Sequence, residues 1–517
     1  MQKVFYGSGE KNENNCYTQD MSTLKKFWYI PVILLFALLY SVLRLTNIMT
    51  LPLFTDESIY IRWSQIALND ASWRYISLTD GKQPLFVWIV MSVMRVVHDP
   101  ILAGRLSSVG AGVFSALGLF FLTKEVFKKT SVAVLASLLY ILYPFALVLD
   151  RMALYDGLVA TFVPWSIWLE ILLAKRLKSY MPWVIGFVVG FGVLNKSNAF
   201  FNLALFPVTL LSFDFTQKHV KQQLLKWVGF AGLASAIALF FYNTLRLSQY
   251  FYIINLKNQT FVYPLGQWIH HPLLHFVGNF HGLSEWAFVY TGIVMTAVLA
   301  LGLIVERQFW KEKIILVIWF ASPFIYLSFF GRTIYARWEL AMVISLLPIM
   351  ALAIDWIRMK VKNVWLFVLV CLVLFAQWGY ADFKIVTDFA HAPIPESDLN
   401  QYINDWPAGG GAREINAYFG ELSKHEKIYV ATEGTFGSVP TIMLELYQNG
   451  NPNLEKRGIW PTPSTMPQDL LDKAKVMPVF YVLNQTQAPP PAWHVQLIAK
   501  YQKGIGTNYL HVYRVLP

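Results

Sequence analysis

The chain has 517 residues, of which 56% are hydrophobic and only 14% charged, and its net charge is +11. Globular proteins run at about 45–50% apolar and about 25% charged, so a soluble, disordered or collagen-like chain is excluded and a polytopic membrane protein remains. In such a protein a surplus of Lys and Arg sets topology and meets anionic lipid rather than nucleic acid.

In chain order, apolar runs near the roughly 20 residues that a membrane helix needs fall at 27–46, 104–123, 131–149, 157–174, 180–195, 198–213, 226–243, 284–305, 312–330, 338–356 and 363–380. The chain is therefore expected to be mainly α-helical, with about eleven transmembrane helices. The first run is too long for a signal-peptide core and no A-x-A site follows it, so it reads as an uncleaved anchor behind a cytoplasmic tail, 1–26. Basic clusters at Lys25/Lys26, Lys124/Lys128/Lys129, Lys175/Arg176/Lys178, Lys218/Lys221/Lys226, Arg307/Lys311/Lys313 and Arg358/Lys360/Lys362 all fall on the cytoplasmic face when the N-terminus is inside. That agreement also decides residues 84–98, an apolar run of about 15 residues: were it to span, every later basic cluster would move outside. It reads instead as an interfacial or re-entrant helix.

The segment 47–103, the short loops near 150–157, 195–198 and 331–338, the loop 244–283 and the C-terminus then face outward. After Ala381 the apolar runs shorten and Pro, Gly and charges rise. Strands are expected at Lys427–Thr432, Val476–Leu483 and Tyr509–Val515, and a helix near Val439–Tyr447. Residues 381–517 thus read as a small extracytoplasmic α/β domain beside a membrane domain, 27–380. Cys16 and Cys371 offer neither a zinc site nor a disulfide.

Ionisable residues collect on the outward side, at the depth of lipid phosphates. Asp56 and Glu57 follow the first run; Asp56 can cap the next helix and still leave a carboxylate for chemistry. Lys82 lies in the turn Asp80-Gly81-Lys82-Gln83-Pro84-Leu85, either as a snorkelling lysine or as a phosphate ligand. Arg151 and Asp156 share one short loop, where they can pair with each other. Lys196, Arg332 and Arg337 complete the set. A carboxylate can take a proton from a hydroxyl nucleophile, and Lys and Arg can hold a phosphate. The absence of a P-loop or Gly-rich fingerprint argues against a nucleotide donor. The combination fits group transfer from a lipid-linked phosphate donor.

At these positions the sequence resembles the GT-C glycosyltransferases of the protein O-mannosyltransferase and lipid A aminoarabinose transferase superfamily. The resemblance covers about 27–380. It rests on Asp56-Glu57, a K-P-P-L-like turn at Lys82-Gln83-Pro84-Leu85 in which Gln83 replaces the first proline, Arg151 and Asp156 after the third run, Gly192 to Lys196 after the fifth, and Tyr335, Arg337 and Pro348 near a late run. It implies an inverting, plasma-membrane glycosyltransferase moving a sugar from a polyprenyl-phosphate carrier to a hydroxyl of a lipid, glycan or protein. Asp56 would be the general base and Asp156 a catalytic support. Lys82, Arg151, Lys196 and Arg337 would bind the donor phosphate. Glu57 is the candidate for supporting a divalent cation or the acceptor; no metal site is assigned.

A transporter or flippase of lipid-linked sugars is the alternative, and it would place charges deep within the runs. The aromatic loop 244–283 reads as an interfacial segment, with a donor lid as its other reading. Its histidines His270, His271, His275 and His281 match no zinc spacing. Trp406-Pro407-Ala408-Gly409-Gly410-Gly411 and Thr432 to Gly437 read as structural turns, or as a meeting point for the acceptor.

Overall fold

The computed structural model describes residues 29–434 and 437–517. The tail 1–26, with Cys16, Lys25 and Lys26, lies outside them, as do the first two residues of the first apolar run and Thr435-Phe436. Among the described residues, seven helices are long and apolar enough to cross a membrane, or eight if the bent pair Thr130–Leu142 and Pro144–Asp150 counts as one span. The expected number of eleven is not reproduced by that criterion. The three remaining runs are helical but short: Tyr29–Leu45, Met181–Asn195 and the stretch Ser197–Ser212.

The helices that position the site are α1 (Tyr29–Leu45), α2 (Thr55–Asn69), α3 (Leu85–Val93), α4 (Pro100–Phe127), α5 (Thr130–Leu142), α6 (Pro144–Asp150) and α7 (Tyr155–Arg176). After them come α8 (Met181–Asn195), α9 (Val220–Asn243), α10 (Ile253–Phe261), α11 (Phe276–Ile304), α12 (Trp310–Phe330), α13 (Leu347–Lys360) and α14 (Val364–Thr387). Helix α3 has nine residues, about 13 Å at helical rise, too short to span. Helix α4 starts where Asp99 accepts the Leu102 N–H at 2.8 Å and Pro100 takes the first turn, where it loses no hydrogen bond.

Burial separates inner from outer helices. In α7 and in the stretch Ala336–Lys360, 83% of the apolar window is buried inside the protein. In Val220–Leu247 and Val364–Thr387 only 17% is. The first two therefore form the centre, and the last two present apolar surface to lipid, where it needs no protein partner.

Two buried ion pairs tie the front of this bundle together. Arg44 at the end of α1 meets Asp150 at 3.2 Å, and Arg105 of α4 meets Glu57 of α2 at 2.7 and 2.9 Å, with all four side chains fully buried. Glu57 also accepts the N–H groups of Phe54 at 3.3 Å and Ala153 at 3.0 Å.

The C-terminal domain begins later than expected, because α14 runs on to Thr387, with Asp382 and Ile385 buried against the bundle. Its helices are α15 (Ala412–Leu422), α16 (Val439–Tyr447) and α17 (Gln468–Ala474); its strands are β1 (Ile428–Glu433), β2 (Leu454–Ile459), β3 (Val479–Leu483), β4 (Val495–Gln502) and β5 (Tyr509–Val515). The sheet order is β2-β1-β3-β5-β4, parallel among the first three and antiparallel beyond β3. Alternating residues feed its two faces: Val430, Val482 and Val512 pack with Phe419, whereas Ala431, Tyr481 and Tyr513 pack with Leu470. The three expected strands and the helix at 439–447 appear; β2 and β4, polar on their exposed faces, were not anticipated.

The domain sits on α2 through Arg62 to Glu445 at 3.0 Å and Gln65 to the Leu446 carbonyl at 3.2 Å, and on the α4 cap through the Tyr447 hydroxyl to Asp99 at 3.0 Å. Replacing Arg105 by Met removes one partner of a buried pair and leaves Glu57 uncompensated. We expect Arg105→Met to cost about 3–5 kcal/mol, read as a large drop in thermal unfolding temperature of the protein in lipid nanodiscs.

Candidate active site

The candidate site residues come from four separate segments. Asp56 stands in the first turn of α2, Asp156 in the first turn of α7, Lys196 just after α8, and Arg337 at the start of the helical stretch Ala336–Lys360. Arg337 joins the two acids. Its Nη2 donates to the Asp56 carboxylate at 2.7 Å and its Nε faces Asp156 at 3.6 Å, while Nη1 donates to Gln401 at 2.7 Å. Asp156 in turn accepts from the Lys196 ammonium. The chain from Asp56 through Arg337 and Asp156 to Lys196 is thus continuous.

Lys82 approaches the same cluster from the turn before α3. Gly81 makes that turn possible: it adopts a positive φ of 67°, and a Cβ there would lie 2.6 Å from the Lys257 side chain. Gln83, the departure from the family's turn, donates to Ser197 at 2.6 Å and so ties the Lys82 turn to the Lys196 turn. The Lys82 ammonium stands 5.3 Å over the Phe261 ring and makes no hydrogen bond or ion pair among the described residues. The Lys196 ammonium stands 5.3 Å over the Trp338 ring. Aromatic faces hold both lysines without neutralising their charge.

Electrostatics follow from this crowding. Burial alone would raise the Asp56 carboxyl, but the Arg337 guanidinium and the Lys82 ammonium outweigh it and hold the group below the usual carboxylate range. Burial pushes the Lys82 ammonium down to about 8, against the attraction of Asp56. Asp398, bonded to the Tyr290 hydroxyl at 2.6 Å behind Arg337, is pushed up by burial to about 6.

Lys82 and Lys196 both line a cavity of about 590 Å³ whose walls include Val159, Phe200, Trp319 and Met342. Asp56 does not line it; the acid reaches it through Arg337, Asp156 and Lys196. Part of the long loop 244–283 walls one side, with α10 supplying Lys257 and Phe261, and with Tyr263 and Pro264 following. Lys257 pairs with Asp80 at 2.6 Å, which pins α10 across the Lys82 turn. This part of the loop thus forms one wall of the cavity.

Two expectations are corrected. Arg151 does not reach the cluster and does not pair with Asp156. It is buried, and its Nη1 donates to the carbonyls of Leu43 at 2.8 Å, Arg44 at 3.2 Å and Thr46 at 2.8 Å, which locks the end of α1. Glu57 is occupied by Arg105 and two backbone N–H groups, which leaves no oxygen for a cation or an acceptor. The 406–411 run contains the structural turns expected of it and also grips the acid loop: the Thr55 N–H donates to the Pro407 carbonyl at 2.9 Å, and Phe54 bridges to Ala408.

Residues 81–244 match the family model of the dolichyl-phosphate-mannose-protein mannosyltransferases. That stretch holds Lys82, Asp156 and Lys196 and excludes Asp56 and Arg337. The structure is similar to that of ArnT from Cupriavidus metallidurans in the apo state, at 13% identity and a TM-score of 0.56, over 95% of this chain and 98% of that one. It is likewise similar to the same protein bound to undecaprenyl phosphate, at 12% identity and a TM-score of 0.54, over 94% and 98%. The chain has a GT-C fold. No curated protein sequence matches it.

Within the GT-C fold, sequence reasoning missed Gln401, Asp398 and Phe261. None carries a local motif, and each reaches the cluster only through tertiary packing. The two lysines differ in what they support: Lys196 closes a buried pair, whereas Lys82 closes none. We expect Lys196→Met to lower the unfolding temperature by the equivalent of about 1–3 kcal/mol, and Lys82→Met to leave it unchanged or raise it. Thermal unfolding of the two variants side by side checks the contrast.

Proposed function

We propose that this protein is an integral-membrane glycosyltransferase that moves a sugar from a polyprenyl-phosphate donor to an acceptor hydroxyl of a lipid, glycan or protein, with inversion. One observation carries the reading: an uncommitted lysine, Lys82, stands beside a paired carboxylate cluster and lines a mostly apolar cavity. The family match and the ArnT complex with undecaprenyl phosphate support a lipid-phosphate donor. We place the protein in the plasma (inner) membrane of a prokaryotic cell, with the N-terminus inside and the 381–517 region outside, on the strength of its one-sided basic clusters.

In this mechanism the isoprenoid lies along the apolar cavity and its phosphate meets Lys82 and Lys196. Asp56 accepts the acceptor's hydroxyl proton as that oxygen bonds to the anomeric carbon. The bond from that carbon to the phosphate oxygen breaks, and polyprenyl phosphate leaves with the electron pair as a stable anion. No general acid is needed, in contrast to glycoside hydrolysis, where two carboxyl groups share the work. Arg337 fixes the Asp56 carboxylate, and Asp156 holds Arg337 and Lys196 in register.

Purified wild type and Asp56→Asn, each given a panel of polyprenyl-phosphate sugars and a membrane acceptor extract, test the reading through release of free polyprenyl phosphate. Asp56→Asn is expected to lose about 10²–10⁴-fold in release while still binding donor. Near-normal release by the variant sinks the base, and no donor bound by wild type sinks the function.

The pH profile gives a second check. The Asp56 carboxyl is held below its usual range, so its base form persists through the ordinary carboxylate range and produces no acid limb near neutrality. Lys82 loses its proton as pH rises through about 8. Donor KM is therefore expected to be flat up to neutrality and to climb above pH 8, and Lys82→Gln is expected to show a high KM with that limb abolished.

A further inference from the structure

We propose that Lys503, in the turn between β4 and β5 of the C-terminal domain, is a positioning residue for Asp56, locking the strap that holds the acid loop. This rests on the reading of Asp56 as the base.

Lys503 is fully buried, and its ammonium donates to the carbonyls of Trp406 at 3.0 Å and Ala408 at 2.7 Å and to the Asn484 side-chain oxygen at 2.6 Å. It has no carboxylate partner among the described residues. Glu433 is saturated by the N–H groups of Asn484, Gln485 and Thr486, and Asp405 accepts from Asn508 at 3.0 Å. A buried ammonium satisfied only by neutral oxygens is a poor way to stabilise a domain. It is, however, a strong way to fix three acceptors around one point, because hydrogen bonds to a charged donor are shorter and stronger than neutral ones.

What it fixes leads directly to the site. Ala408 bridges to Phe54, and the Pro407 carbonyl accepts both the Thr55 N–H at 2.9 Å and the Thr55 hydroxyl at 2.8 Å. Asp56 is the next residue. The strap lies so close that a Cβ on Gly409 would come within 2.3 Å of the Leu53 carbonyl. The turn is held from below as well, where Ile505 N–H donates to Asn404 at 3.1 Å. Lys503, strap and acid loop thus form one rigid path across the domain boundary.

The test uses the full-length protein in lipid nanodiscs. Hydrogen–deuterium exchange is read in peptides covering Thr55, and sugar transfer and donor binding are read in parallel. Lys503→Met is expected to speed exchange at Thr55 about tenfold or more and to lower kcat by about 10- to 100-fold, the loss typical of a base displaced by a fraction of an ångström to an ångström, with donor KM unchanged. Gly409→Ala, which pushes the strap away and leaves Lys503 intact, is expected to do the same and decides the matter if Lys503→Met does not fold. Val512→Ala, a cavity in the sheet core away from the strap, is expected to lower stability without either change. Unchanged Thr55 exchange in both strap variants overturns the proposal, as does an equal kcat loss in Val512→Ala. Should wild type transfer no sugar, the proposed function fails, and the exchange measurements still decide whether Lys503 holds the acid loop.

Discussion

A single guanidinium, that of Arg337, holds carboxylates from two loops that lie a hundred residues apart in the chain. Without it Asp56 and Asp156 would bring two like charges into one partly buried site, an arrangement that raises the affinity of at least one for a proton. Arg337 is itself sandwiched, 5.3 Å from the Phe54 ring and 4.6 Å from the Tyr335 ring, and anchored to Gln401. The guanidinium is planar and permanently charged, so it can face several acceptors in fixed directions. A lysine at this place could not serve three partners from different elements in the same way.

Around this centre the protein divides its cations by commitment. Arg44, Arg105 and Arg151 are spent on the scaffold, tying α1, α2 and α4 to one another and to the loop before α7. Lys196 is half committed through Asp156, and Lys82 is not committed at all. The graded pattern has a physical logic. An ammonium partly removed from water and left unpaired is an expensive group to keep, and Lys82 lines the cavity in that state. The rest of the lining is largely apolar, with Val159, Phe200 and Met342 among its walls.

The C-terminal domain takes part in the site instead of hanging from it. The segment after α14 places Asp398 and Gln401 behind Arg337, and the strap at 406–408 holds the residue preceding Asp56. This contact also explains the capping of α2. Its N-terminus presents Asp56 and Glu57 together, and the two acids separate at once: Glu57 turns inward to Arg105, while Asp56 keeps a quarter of its side chain exposed, 27%, beside Arg337. Adjacent residues in a helix point about 100° apart, so one acid pair can serve scaffold and site simultaneously.

Much of this was legible in the sequence. All eleven apolar runs have helical structure close to their expected bounds, because hydrophobic length is a one-dimensional property; by length and composition only seven or eight qualify as full spans, since α1, α8 and the 197–212 stretch are short or broken. Asp56, Asp156, Lys82, Lys196 and Arg337 were found because ionisable residues at a membrane edge are conspicuous in an apolar chain. Arg151 and Glu57 were drawn into the same set by the same signal, since exposure and burial look alike in sequence. Only the tertiary structure separated the cations spent on carbonyls and buried acids from those left facing a cavity, and only it brought Gln401, Asp398 and Lys503 to the acid loop. Those contacts depend on how a sheet domain docks on a helical one, and no local periodicity encodes that docking. Composition and charge order determined a one-sided membrane protein; packing decided which charges remain available for chemistry.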